Sequence, residues 1–170
     1  MWMPASSLDE VTLKGSPAPL LDDGLRCALL LLLAALVGTM FGVWVGFDPS
    51  YLSARAYIEQ QQNAIRSLNA LLPLIGLLSI VLVGILAFRS VRPRVRYLLV
   101  TAAICLTVAG LITRFGNQPI NALVLHWTPD APPPDWSTWR DRWWHLHQIR
   151  TVFGVAAYVL VVLSMLAKRR

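Results

Sequence analysis

Four stretches of the chain carry no Asp, Glu, Lys or Arg and are strongly apolar: Cys27–Phe47, Ser67–Phe88, Tyr97–Thr113 and Thr151–Ala167, of 21, 22, 17 and 17 residues. A helix that crosses the hydrocarbon of a bilayer needs about 20 such residues, within a range of roughly 17–25. The two shorter runs are flanked by Arg96, Arg114 and Arg150, whose aliphatic stems can lie in lipid while the charges reach water. Only 14% of the residues are charged and 56% are hydrophobic, against roughly 25% and 45–50% in soluble domains. That balance excludes a disordered chain and a disulfide-stapled secreted module, and weighs against an ordinary soluble enzyme. The expectation is an all-α integral membrane four-helix bundle. It forms a single domain over residues 25–170, with spans near 27–47, 67–88, 97–115 and 150–167.

Residues 1–24 do not read as a secretory signal. Asp9, Glu10, Asp22 and Asp23 stand where basic residues are needed, and no small-residue cleavage site follows the first apolar run. With Pro4, Pro17 and Pro19 the segment reads as a mobile tail. Four spans put both termini on one side, together with the short connection Arg89–Arg96, which holds four Arg and no acid. Positive charge in short connections favours the cytoplasm. The chain is therefore expected as a multi-pass protein of a bacterial plasma (inner) membrane with both termini cytoplasmic. Topology and contact with anionic headgroups account for the excess of Lys and Arg over Asp and Glu, 15 to 9. The bilayer is the expected partner and nucleic acid is not needed. Cys27 and Cys105 sit at different depths, and a disulfide requires Cα atoms within about 7 Å, so both are expected free.

The first span contains Gly38-x-x-x-Gly42-x-x-x-Gly46, three small residues on one helix face. In lipid, close backbone approach at such faces supplies helix packing. The face is expected to be a contact inside the bundle, with homodimerisation as the alternative. Asp48-Pro49-Ser50 then stops the helix and starts another. Tyr51–Leu68 is helical but polar and should lie at the outer interface before the second span, where Pro73 introduces a kink.

Candidate chemistry concentrates in Arg114–Arg150. Pro119 lacks an N–H and clashes with the carbonyl four residues back, so the third span is expected to end or bend there. Asn117, Gln118 and Asn121 can satisfy the freed backbone groups, or can serve a ligand. Thr128–Pro134, with four prolines, is expected as a stiff extended connector. Asp135 stands at an N-cap position, and the helix it opens would run from Trp136 to Ala167. At 1.5 Å per residue that is about 48 Å, longer than a hydrocarbon core of roughly 30 Å, so the fourth helix should extend beyond the membrane on the outer side. At about 100° per residue, Trp136, Arg140, Trp143, His147, Arg150, Thr151 and Gly154 share one stripe of that helix, while His145 faces away. The stripe is the candidate wall of a pocket. Trp139 and Trp144 read better as an interfacial aromatic belt.

No metal site is expected. His145 and His147 are spaced i, i+2 and diverge, unlike the i, i+4 pairs of zinc helices, and no carboxylate stands at ligand spacing from His126. No His lies mid-span to hold a haem, and no span contains an Asp or Glu of the kind that ion-coupled carriers use.

Gly38-x-x-x-Gly42, the Gln-rich turn Gln60–Asn63 before Pro73, Asn117-x-Pro119-x-Asn121, and Asp135-Trp136…Trp139-Arg140…Trp143…His147…Arg150-Thr151 together resemble the anthrone-oxygenase-like family of membrane proteins. The likeness covers roughly Leu25–Leu166. It implies a four-helix membrane protein, some relatives of which oxidise polycyclic anthrones to anthraquinones with molecular oxygen and no metal, flavin or other cofactor. Carried onto this chain, it implies His147 as the base that removes an acidic C–H. Asn117, Asn121 and Arg150 become donors to the developing oxyanion. Trp127, Trp136 and Trp143 would stack on a flat lipophilic aromatic substrate, with Arg140 and Gln62 also in the binding set. The alternative is a non-catalytic protein, a lipid or small-molecule binder or an accessory subunit, in which the same polar residues only lock helices together. An apolar pocket beside His147 would separate the two.

Overall fold

The computed structural model describes residues 17–169, and these are helical almost throughout, with one isolated bridge between Thr128 and Ala131. Six α-helices follow one another: α1 (Pro17–Gly46), α2 (Ala54–Leu68), α3 (Leu71–Arg89), α4 (Pro93–Ile112), α5 (Gln118–Leu125) and α6 (Trp136–Arg169). A short 3-10 turn, Pro49–Tyr51, precedes α2, and a π-helical segment, Thr113–Asn117, joins α4 to α5. Four segments are long and apolar enough to cross a membrane: Leu20–Tyr51, Leu71–Arg89, Pro93–Leu125 and Trp136–Ala167. The protein is an all-α, multi-pass membrane protein.

The breaks have local causes. Asp48 accepts from the Ser50 N–H at 2.9 Å and opens the 3-10 turn, and Ser53 caps α2 by accepting from Ala56 N–H at 3.3 Å. The tail expected over residues 1–24 is helical from Pro17 onward. Proline is tolerated in a first helical turn, where an N–H has no intrahelical partner, and Asp22 is held by Arg89 at 2.7 Å. Residues 1–16 lie outside the described ones. Pro73 falls in the first turn of α3 for the same reason and begins a span rather than kinking one. Pro119 does not end its helix either. The Gln118 N–H bonds to the Thr113 carbonyl five residues back, and this widened turn sets Pro119 in the first turn of α5, where the missing donor costs nothing. Nor is the connector extended throughout: Ala131 N–H turns back onto the Thr128 carbonyl at 3.0 Å.

α1 packs on α3 and α6, and α4 packs on the same two helices, so the four long helices close an antiparallel ring. At the end where α1 begins and α6 finishes, the ring is filled by Leu29, Leu33, Val83, Leu86, Val95, Leu99, Ala102, Ala157 and Val161. At the other end α2, α5 and the start of α6 form a cap around Ile65, Ile120, Val124 and Trp143. Leu31, Phe41, Leu78, Ile104, Val159 and Leu163 point outward and stay exposed. Such surface would aggregate in water but matches acyl chains in a bilayer.

The glycine face does not make the contact expected of it. Gly38, Gly42 and Gly46 are exposed, and a Cβ on any of them would meet nothing within 4 Å. α1 instead buries Leu29, Leu33, Leu36, Val37 and Met40, a stripe on the other side of the helix. The close approach is at Gly116, where a Cβ would come within 2.9 Å of the Leu146 side chain. There the π segment and α6 meet.

Candidate functional site

α2 turns its charged side chains outward and buries a face of apolar residues and two glutamines. Tyr57, Ile58, Gln61, Gln62 and Ile65 are buried, while Arg55 and Glu59 face outward and Arg55 also reaches Asp130 on the connector. Beneath α2 the upper halves of α1, α3, α4 and α6 enclose a cavity of about 630 Å³, within the range of small-molecule sites. Its floor is apolar: Leu36, Gly76, Ile80, Leu106, Gly110 and Gly154. Its rim carries Gln61, Asn69, Gln118 and Asn121. The lining includes two cations, Arg114 and Arg150, and no Asp or Glu.

Two hydrogen-bonded chains build the wall. In the first, Trp143 Nε1–H donates to Asn121 Oδ1 at 2.8 Å and Asn121 Nδ2 donates to Asn69 Oδ1 at 2.9 Å, tying α6 to α5 and to the α2–α3 turn. In the second, Arg150 donates to Thr113 Oγ1 at 3.1 Å and to His147 Nδ1 at 2.9 Å, while His147 Nε2 meets the Met40 carbonyl at 3.0 Å. A carbonyl can only accept and a guanidinium can only donate. His147 is therefore the neutral Nε2–H tautomer, its one lone pair turned to Arg150. Trp143 and Trp144 stack on its ring, with centroids 5.1 and 5.7 Å away and planes within 6° and 10° of parallel.

Among the described residues five buried side-chain polar atoms have no hydrogen-bond partner: Nε and Nη1 of Arg26 and, at the capped end, Arg150 Nε, Tyr57 OH and Asn117 Oδ1. A buried group left unpaired costs about 1–3 kcal/mol, and two of these belong to cavity-lining residues, Arg150 and Tyr57. Burial pushes the Tyr57 phenol above the ordinary tyrosine range, so it stays a donor.

Of the residues marked in the sequence, His147, Asn121, Arg150 and Trp143 line the cavity. The other five brace it. Asn117 donates to the Trp143 carbonyl at 3.0 Å. Gln62 donates to the Val124 and Trp127 carbonyls at 2.9 and 2.8 Å, clamping the end of α5, and Trp127 packs into the cap. Trp136 lies against Tyr57, with the Arg140 guanidinium 4.9 Å above its ring. Trp139 donates to the exposed Asp135 carboxylate at 2.9 Å, which leaves the belt reading open. Sequence reading passed over Tyr57, Asn69 and Thr113. Tyr57 had a signal, an aromatic on the apolar side of a polar helix. Thr113 stood only as the last residue of a charge-free run. His126 and His145 are exposed, and among the described residues no three His, Cys, Asp or Glu side chains group as metal ligands.

A sequence model of the family described as anthrone oxygenase matches residues 62–160, more than half of the chain. The chain belongs to the anthrone oxygenase family. The matched region takes in both hydrogen-bonded chains of the cavity wall from Asn69 to Arg150, but not α1, which supplies Leu36 and Met40. Comparison with curated proteins and with solved structures gives no match for this anthrone oxygenase relative.

Proposed function

We propose that the cavity binds a lipophilic aromatic compound with an acidic ring CH2 conjugated through its aromatic rings to a carbonyl across the ring, and promotes its oxidation by molecular oxygen without a cofactor. The observation that carries this reading is Arg150. It is a cation in an apolar cavity lined by no carboxylate, with one buried N–H group unpaired. A site of this kind stabilises an oxyanion. Loss of the C–H proton turns the substrate into its enolate, whose oxygen takes the Arg150 N–H now given to His147. That exchange frees the Nδ1 lone pair to receive the proton, so binding of the oxyanion and arming of the base are one event. The electron-rich ring carbon then reacts with oxygen. In the balance a ring CH2 becomes C=O, one oxygen atom enters the carbonyl, and the other leaves as water.

Oxygen uptake by purified protein with an anthrone tests this. Arg150→Gln should lower the rate about 100- to 1000-fold, and His147→Ala about 100-fold or more. Turnover unchanged by either substitution removes the assigned roles. Ligand binding with no oxygen uptake supports the second reading, a non-catalytic binder, which the purely bracing contacts of Gln62, Asn117 and Trp136 favour. The Arg-rich connection α3–α4 supports an inner-membrane orientation with both termini cytoplasmic. A terminal tag reached by a protease outside intact cells would reverse it.

A further inference from the structure

The cavity is deeper than a three-ring substrate requires, and its two ends differ in chemistry. Along α1 it runs from Phe47 to Leu36, eleven residues or about 16 Å at 1.5 Å per residue. Three fused rings measure about 7 Å between their outermost carbons and about 11 Å across their van der Waals surfaces. Arg150, Thr113 and Asn121 stand toward the cap. Below them Leu36, Gly76, Ile80, Leu106 and Gly110 offer no hydrogen-bonding side chain. Gly76 and Gly110 keep this pit open, because a Cβ there would only reach van der Waals contact with Leu36 and Ile80, at 3.8 and 3.9 Å. Leu77 on α3, Gly110 on α4 and Arg114 on the π segment line the cavity and are also exposed.

We infer that the ligand is amphipathic. Its aromatic head, bearing the ionisable oxygen, sits at Arg150, and an alkyl or isoprenoid substituent fills the pit. It comes from the bilayer through the opening beside Leu77 and Arg114. The inference rests on the binding half of the reading above and names its substrate class. A head-first ligand of this shape keeps its chain in apolar surroundings throughout, and only the head exchanges water for Arg150 and Asn121. A bare tricycle would leave the pit to be filled by lipid or by nothing.

The test is equilibrium binding to protein in lipid nanodiscs, using 1,8-dihydroxyanthraquinone and its 3-decyl derivative, each corrected for its partition into protein-free discs. The decyl compound should bind about ten-fold more tightly. Gly76→Leu and, separately, Gly110→Leu should bring that ratio below about two-fold by filling the pit. Equal affinities in the wild type, a ratio untouched by both substitutions, or no binding of either compound overturns the inference. Oxygen uptake with an unsubstituted anthrone alongside equal affinities would sink the tail and leave the oxidation standing, so the two readings fail separately.

Discussion

The two ends of the helix ring use the same kinds of residue to opposite effect. At the end where α1 begins and α6 finishes, Leu, Val and Ala side chains from all four long helices meet and fill the ring; Leu33, Val83, Leu99, Ala157 and Val161 are wholly buried. At the capped end α2 lies across the top and the helices below enclose empty volume, with Arg150 and Tyr57 left partly unsatisfied beside it. The solid end holds the ring together, although Arg26 of α1 also keeps two buried N–H groups unpaired there; the hollow end sets its unpaired groups beside a cavity. A membrane protein can bear that division because helix association in lipid depends on packing, and packing over half the length leaves the other half free to stay open.

Substitutions can probe that division. The largest stability effect is expected at Gln62→Ala, which leaves the buried Val124 carbonyl and the Trp127 carbonyl without their donor. Two lost hydrogen bonds of this kind should cost about 2–3 kcal/mol, read as a lower midpoint in detergent unfolding together with weaker ligand binding as the cap loosens. Leu99→Ala lies in the solid end and should cost about 1–2 kcal/mol. That is below the usual range for a core leucine, because lipid rather than water surrounds the separated helices. Ligand affinity should not move, and a loss of affinity would show that the two ends are not independent. The smallest effect belongs to Gly42→Leu, on the exposed α1 face, which should shift the unfolding midpoint of the monomer by less than about 0.5 kcal/mol. A large shift would mean that the face meets a neighbour.

Much of this was legible in the chain. The spans, the polar α2 and the single long α6 follow from where charge is missing and where proline and Asp stand. Trp143, His147, Arg150 and Gly154 fall on one stripe of α6 by periodicity, and all four line the cavity. Legibility stopped where a second element had to be placed. Trp136 and Arg140 lie on the same stripe yet meet Tyr57 and each other, because α2 covers that level of the helix. Pro119 is a helix breaker by its chemistry, but one widened turn absorbed it. The glycine triplet marks a face suited to close packing, and the ring closed on the opposite side of α1.

The sequence by itself determined the solvent of this protein and the internal order of each helix, since hydropathy and periodicity are properties of one segment. Only the tertiary structure decided that Arg150 faces an apolar cavity without a carboxylate, that His147 turns its lone pair to that cation, and that five of the nine marked residues brace the cavity wall. Those outcomes depend on which faces meet across the ring. Hydrogen bonds such as Arg150 to Thr113, 37 residues away, or His147 to Met40, 107 away, leave no mark in local pattern.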